Sequence, residues 1–404
     1  MTTEPDRDLL IVGGGLGGCR LAEALRGHGF TGSITILSGE EHPPYDRPPL
    51  SKSVLLGTDD RVDLKSPEFF EEAGIELLLG ARVTAVHPGQ HSVEYVRHGA
   101  AHRLGYRTLV LATGLAPRPF PGEGGGLAGV HVLRTYDDAA ALRTDLADAR
   151  RAVVIGAGFI GCEAAASMAA LGLEVTVVEP AAVPLAAAVG PVVGLLVARL
   201  HKEAGVDLRT ATGAARLTGA AGRVTGVELT DGTLLPADVV LVGIGGTPDL
   251  EYLAGSGIET AEPGSPGRGG IVCGELGHTT VPDVYALGDA ANWADAQGNR
   301  NRVEHWNHTV DQAAIVAAQI AGKALPPPAV PYFWSDQHAL KIQVLGSPRP
   351  DDEVHVVDDD GRKFLAYYSR DGVLTGTAGA GRVGKLMKTR PLLLTDTPIS
   401  DLLP

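Results

Sequence analysis

Cysteine is nearly missing. The chain of 404 residues holds three, Cys19, Cys162 and Cys273, far apart and with neither a CxxC nor a CxxxxC spacing. Such spacing excludes a zinc site or a redox disulfide built from neighbouring thiols, and it suits a reducing cytosol. A basic leader is missing too. Met1-Thr-Thr-Glu-Pro-Asp carries no cationic n-region, so no signal peptide is expected and the expected compartment is the cytoplasm. Cations are the minority charge, 34 Lys and Arg against 48 Asp and Glu, for a net charge of −14. A generic nucleic-acid binder is thereby disfavoured, and only a local basic patch stays open. Long apolar runs are scarce. Pro180 to Ala198 is nineteen residues without a charge, but Pro184, Gly190, Pro191 and Gly194 interrupt it. It reads as helix plus loop, so no membrane partner is expected.

What is present fits a globular chain of two to three domains. Hydrophobic residues make up 44% and charged ones 20%, and Gly plus Pro is 81 of 404, below the level of a disordered chain. The chain is organised around Leu9-Leu10-Ile11-Val12-Gly13-Gly14-Gly15-Leu16-Gly17-Gly18, which reads as strand, tight turn and helix. Gly13 permits the turn, Gly15 lets a pyrophosphate approach the backbone, and Gly18 lets the helix pack on the strand. The free N–H groups and positive end of that helix then face the phosphates. A second strand, Ile34–Leu37, leads into Ser38-Gly39-Glu40-Glu41. An acid here would hold the adenosine ribose. Glu40 or Glu41 is placed for it, with Glu40 preferred, the alternative being a solvated turn.

The next stretch, Pro43-Pro-Tyr45-Asp46-Arg47-Pro48-Pro49-Leu50-Ser51-Lys52, is a stiff loop suited to walling a cofactor, with Ser51 placed to cap a short helix. Arg47 and Lys52 are either surface cations or partners of phosphate or flavin oxygens. Strands are expected within 75–86, 92–96 and 107–114, and 115–129 reads as a hinge. Then the opening pattern returns. Val153-Val154-Ile155-Gly156-Ala157-Gly158-Phe159-Ile160-Gly161 repeats strand, glycine turn and helix, with Gly156 lying 143 residues after Gly13. The strand after it ends at Glu179, a carboxylate that would bond a ribose 2′-hydroxyl and repel a 2′-phosphate, favouring NAD(H). Val284-Tyr-Ala-Leu287-Gly288-Asp289 is a further strand that stops at an acid placed to accept from a sugar-alcohol chain. The helix that follows, from about His308, has an N-terminus able to support negative charge on a reduced ring. Pro326–Pro331 is a linker to a small α+β domain, in which Arg382, Lys385, Lys388 and Arg390 occupy nine residues without an acid.

In order, GGGLGG, PYDRPPLSK, LATG, GAGFIGCE, VYALGDAAN, HWNHTVDQA and FWSDQ resemble the NADH-dependent, FAD-containing ferredoxin reductases of bacterial oxygenase and cytochrome P450 systems. The resemblance covers nearly the whole chain, and FWSDQ separates this family from general disulfide reductases. It implies an α/β chain of two Rossmann-like dinucleotide-binding domains, the NAD domain inserted in the FAD domain, plus a C-terminal α+β domain. The expected boundaries are 1–114 with 239–324 for FAD, 115–238 for NAD and 325–404 for the last. It implies FAD contacts at Gly13, Gly15, Gly17, Gly18, Glu40, Arg47, Lys52, Val83, Arg134, Gly288, Asp289 and Trp306. NAD contacts are implied at Gly156, Gly158, Ile160, Gly161, Glu163 and Glu179. There are departures: Ser38-Gly39-Glu40 stands where the family shows Gly-Asp, and Ala181-Ala182-Val183-Pro184 lacks the arginine usual after the NAD-ribose acid.

The implied chemistry is hydride transfer from NADH to flavin N5, with the protein positioning two rings and tuning charge. Lys52 is expected near the N5 edge, paired with Glu163 across the domain interface. Single electrons would then pass to an iron–sulfur ferredoxin, with Arg382, Lys385, Lys388 and Arg390 as the docking face and Arg300, Arg302 and Lys341 as neighbours. Two other readings share the fold. A flavin disulfide reductase or NADH oxidase needs a redox cysteine, and the 43–52 loop has none. A slow NADH-sensing flavoprotein similar to apoptosis-inducing factor needs no such thiol.

Overall fold

The structure is a computed structural model that describes residues 3–265 and 267–403. The chain divides into two compact units, each discontinuous in sequence. Unit 1 is Met1–Asp46, Val62–Ala116 and Gly246–Ala329; unit 2 is Arg47–Arg61, Pro117–Gly245 and Val330–Pro404. The residues of the proline-rich loop from Arg47 onward therefore group with unit 2, whereas the sequence reading kept 1–114 together.

Unit 1 is built on β1 (Thr3–Val12), α1 (Leu16–Gly27), β2 (Ile34–Leu37), β3 (Ile75–Leu78), β4 (Arg82–His87), β5 (Ser92–Arg97) and β6 (Ala100–Leu111). The sheet order is β3-β2-β1-β6-β5-β4. Strands β3, β2, β1 and β6 are parallel, and β4 and β5 form an antiparallel flank. On the side away from β1, the long β6 serves two partners. Its first half pairs with β5, and Leu109–Leu111 pair with the parallel strand Val284–Ala286. Every residue of β2 is buried, and Leu9, Leu10 and Ile11 of β1 are fully so. That explains the unbroken apolar runs: parallel strands covered on both faces do not alternate. Helix α1 packs on the helix Trp306–Ala321, which begins two residues before the expected start and ends at Gly322 in the left-handed conformation.

Unit 2 repeats the plan. Its five-stranded sheet has the order β10-β9-β8-β11-β7, where β7 is Val130–His131, β8 is Arg151–Ile155, β9 is Glu174–Glu179, β10 is Asp207–Thr210 and β11 is Val239–Val242. All its pairings are parallel. Helix α2 (Phe159–Ala170) follows β8, and Gly172, just past its end, is left-handed as expected. The charge-free stretch becomes α3 (Ala186–Glu203), which is two helical pieces joined at Gly190 (φ 71°, ψ 177°). Among the described residues no helix is long and apolar enough to cross a membrane. The last part of unit 2 is an antiparallel sheet of order β12-β13-β16-β15-β14. Its strands are β12 (Tyr332–Gln337), β13 (Leu340–Gly346), β14 (Glu353–Asp359), β15 (Phe364–Arg370) and β16 (Val373–Ala380). Helix α4 (Val383–Lys388) rests on β16 through the fully buried Leu386. This is the small α+β part the sequence led one to expect.

Candidate functional site: two glycine cradles and a buried charge cluster

The first glycine motif divides its labour. Gly13 has φ +119°, and a Cβ there would lie 2.3 Å from the Ala112 carbonyl oxygen. A Cβ at Gly18 would lie 2.2 Å from the Gly13 carbonyl oxygen. The fold itself therefore demands these two. Gly15 differs. It is the N-cap of α1 with ordinary extended angles (φ −86°, ψ −162°), and a Cβ there meets nothing within 4 Å. Among the described residues nothing lies within 4 Å of that position, at a helix start whose first N–H groups lack intrahelical partners, which is the fit a pyrophosphate requires. Gly17 faces inward, its Cβ position 2.5 Å from the Leu287 side chain, so its smallness serves packing and only its backbone is left for a ligand.

Around this cradle, Gly288 (φ +74°) donates its N–H to Gln312 Oε1 at 2.7 Å, and Asp289 follows at the end of the strand Val284–Ala286. The Asp289 carbonyl accepts from Arg302 at 2.9 Å. Burial, with neighbouring His308, pushes His305 down to about 4 and also lowers His308, so both rings are neutral near pH 7. Glu40 Oε2 accepts from the Tyr45 hydroxyl at 2.5 Å. Glu41 lies against Gly80. Trp306, the first residue of its helix, donates from Nε1 to Asp46 at 2.8 Å. Val83 is half-buried in β4 opposite Tyr95. Of the sequence-expected residues, Arg47, Lys52 and Arg134 lie in unit 2 instead.

The second motif repeats the division. Gly156 (φ +101°) and Gly161 are both required, since Cβ atoms there would lie 2.4 Å from the Gly243 oxygen and 2.0 Å from the Gly156 oxygen. Gly158, the N-cap of α2 at φ −73° and ψ −176°, again faces open space. Next to it, Ile160 is 43% exposed on a helix whose residues Gly161–Met168 are all buried. Glu179 closes β9 and turns its carboxylate on the glycine loop, accepting from the Ala157 N–H at 2.7 Å and from the Ala181 N–H at 2.8 Å. Its remaining lone pairs suit ribose hydroxyls. Arg209, opposite Val178 in register, is held by Asp207. Exchanging Glu179→Gln should therefore raise the NADPH-to-NADH ratio of kcat/KM by about tenfold or more, read by steady-state assays with each nucleotide.

The third feature is a charge buried in unit 2. Glu163, on α2, is 4% exposed and accepts four hydrogen bonds. Lys52 Nζ and Ser51 Oγ donate to Oε2 at 2.8 and 2.6 Å; Ser335 Oγ and the Asp336 N–H donate to Oε1 at 2.7 and 3.2 Å. Lys52 also donates to the Pro48 carbonyl at 3.0 Å, so its ammonium is held at two points. The sequence paired Lys52 with Glu163 across two domains; the pair is internal to unit 2, because residues 47–61 group there. Ser51 does not cap the short helix Ser53–Leu56, having given its hydroxyl to Glu163. Ser51 and Ser335 were both missed as Glu163 partners. The signal for Ser335 was available: β12 alternates, and Phe333, Ser335 and Gln337 are buried on one side, an odd place for two polar side chains. Nearby, Arg47 donates to the Arg134 carbonyl, and Thr135 with Asp138 forms a capping box for the helix Tyr136–Leu146.

The expected cation face is largely neutralised. Arg382 pairs with Asp358 and Asp360, Lys385 with Asp358, and Lys341 with Asp336. Arg302 is buried and bound to Glu304, and Arg300 donates to the Cys273 and Asn292 carbonyls. A run without acids in sequence meets acids in space, Asp358 on β14 and Asp360 just past its end. Lys388 and Arg390 remain exposed. All three cysteines are free and buried, and burial raises Cys19 to about 11, Cys273 to about 12 and Cys162 further, so none is a ready thiolate at neutral pH.

Two nucleotide cradles in one chain, with a buried lysine–carboxylate pair and no reactive thiol, define an oxidoreductase that works between two dinucleotides. Residues 7–313 match the pyridine nucleotide-disulphide oxidoreductase family, and residues 332–401 match the reductase C-terminal domain. The chain belongs to the pyridine nucleotide-disulphide oxidoreductase family and uses FAD and NAD(H). It is 37% identical over 401 residues to the 5,5′-dehydrodivanillate O-demethylase ferredoxin reductase subunit of Sphingobium sp., covering 98% of this chain and 95% of that one. It is 36% identical to putidaredoxin reductase of Pseudomonas putida, over 84% and 80% of the two chains. Among solved structures, the ferredoxin reductase for the CYP199A2 system from Rhodopseudomonas palustris superposes with a TM-score of 0.91 at 34% identity, covering 98% and 97%.

Proposed function

We propose that this chain takes a hydride from NADH and delivers single electrons to an iron–sulfur ferredoxin that serves an oxygenase or cytochrome P450. The observation that carries the reading is the pairing of two open glycine cradles with one buried charge pair in a chain whose thiols are all locked in its core. Its similarity to the ferredoxin reductases above, over nearly its full length, supports the choice of acceptor. Bound FAD supplies the conversion from a two-electron donor to a one-electron acceptor. The remaining work belongs to the protein. Gly15 and the start of α1 receive the FAD pyrophosphate, with Glu40 and Asp289 toward its hydroxyls. Gly158, Ile160 and Glu179 receive NADH. Lys52, fixed by Glu163 and Pro48, keeps a positive charge in one place while charge builds on the ring.

The functional division proposed is 1–114 with 239–324 for FAD, 115–238 for NAD and 325–404 for the C-terminal part, working in the cytoplasm. The separate family matches for 7–313 and 332–401 support the last boundary. The test is stopped-flow reduction by NADH followed by ferredoxin-dependent cytochrome c reduction. Fast reduction with ferredoxin-dependent turnover is expected; a long-lived charge-transfer complex without turnover would replace this reading with the NADH-sensing one. For docking, the exposed Lys388 and Arg390 are the cations left to meet an acidic ferredoxin. Reversing both charges should raise the ferredoxin KM about three- to tenfold and flatten its salt dependence. Unchanged values would remove this face from the docking surface.

A further inference from the structure

Behind Glu163 lies a line of hydrogen bonds that runs through unit 2. Gln337 Nε2 is 3.0 Å from Ser335 Oγ, Gln337 Oε1 is 3.0 Å from His201 Nε2, and His201 Nδ1 is 3.2 Å from His338 Nε2. Ser335, Gln337 and His201 are fully buried, and His338, half-buried, ends the line. The chemistry dictates the direction of every bond. Glu163 receives an ammonium, two hydroxyls and a backbone N–H, so it is a carboxylate and Ser335 must donate to it. Ser335 then has only lone pairs for Gln337, which must donate its amide N–H. The amide oxygen must therefore accept, so His201 carries its proton on Nε2, and its bare Nδ1 accepts from His338. Burial pushes His201 down to about 4, with His338 adding to the shift, so the neutral ring persists at neutral pH. An amide in the line passes orientation along but carries no proton.

We propose that Ser335, Gln337 and His201 are positioning residues for the Lys52–Glu163 pair: Ser335 donates to Glu163 Oε1, Gln337 fixes Ser335 and His201 fixes Gln337, and this line holds the carboxylate in one rotamer. A strand and a helix with no glycine motif of their own, β12 from the C-terminal part and α3, thereby share in setting the charge that hydride transfer uses. This rests on the role given to Lys52 above.

The first test is the His201 tautomer in the holoenzyme, read by nitrogen-15 NMR of labelled histidine at pH 7 and assigned by its loss in His201→Asn. A proton on Nε2 with Nδ1 bare is expected; a proton on Nδ1 would overturn the line. The second test is rapid kinetics. Gln337→Glu offers Ser335 a competing carboxylate, so it and Ser335→Ala should each lower the limiting rate of flavin reduction about tenfold, with the NADH Kd within about twofold of wild type. The double variant should be no slower than Ser335→Ala alone, because the effect of position 337 travels through Ser335; multiplied losses would overturn the inference. Gln337→Met serves the same comparison if Gln337→Glu does not fold. A slow Lys52→Met beside a full-speed Ser335→Ala would sink this inference alone, whereas a full-speed Lys52→Met would sink the role of the pair itself.

Discussion

Lys52→Met is expected to slow NADH-driven flavin reduction by roughly a hundredfold or more, while NADH binding stays within a few-fold. The ammonium is a fixed charge with two anchors, and Met keeps its length without the charge. The same substitution is expected to cost roughly 2 kcal/mol of stability. Breaking a buried ion pair usually costs about 3–5 kcal/mol because the abandoned charge is the penalty. Here Glu163 keeps three other donors, and the lysine side chain is 19% exposed, so the lower figure applies. Adding Glu163→Gln to Lys52→Met should recover most of that stability, since no unpaired charge is left, yet reduction should stay slow. Urea midpoints and stopped-flow traces on the two variants separate the effects. A double variant that regained speed along with stability would show the pair to be structural.

The second large effect comes from the second glycine motif. Gly158→Val is expected to leave the unfolding temperature of the flavin-loaded protein within a degree or two of wild type and to weaken NADH binding by roughly a hundredfold or more. The reason is geometric: its backbone angles suit any residue, and among the described residues nothing lies within 4 Å of the added Cβ, at the proposed NADH cradle. Gly161→Ala, three residues on, should do the reverse. Its methyl would lie 2.0 Å from the Gly156 oxygen, so α2 must lift from β8 at a cost of about 3 kcal/mol or more. Equal effects of the two substitutions, in either measurement, would contradict the assignment of Gly158 to the ligand and Gly161 to the fold.

Much of the candidate site's local geometry was legible because its signals are local. A glycine turn needs neighbours in sequence, and an acid at a strand end is found by counting, so the tight turns at Gly13 and Gly156, the close helix packing at Gly18 and Gly161, the open N-caps Gly15 and Gly158 and the strand-end Glu179 could be read directly. Gly17 was read as a ligand contact, but its Cβ position faces Leu287, 270 residues away, which no local pattern reports. The cation run at 382–390 is altered for the same reason. Arg382 and Lys385 pair with Asp358 and Asp360, brought beside them by the pairing of β14 with β15 and β15 with β16, and Lys388 and Arg390 stay exposed.

The amino-acid order alone determined the two strand–turn–helix units, the absence of a working thiol and the order of the parts, because each depends on residues a few positions apart or on composition. Only the tertiary structure decided that Lys52 and Glu163 share a unit, that Ser51 and Ser335 complete the shell of that carboxylate, and that His201 stands behind them. Ser51 and Ser335 stand 112 and 172 residues from Glu163 along the chain. A buried charge must collect its hydrogen bonds from whatever the packing brings near it, and packing is a property of the folded chain as a whole.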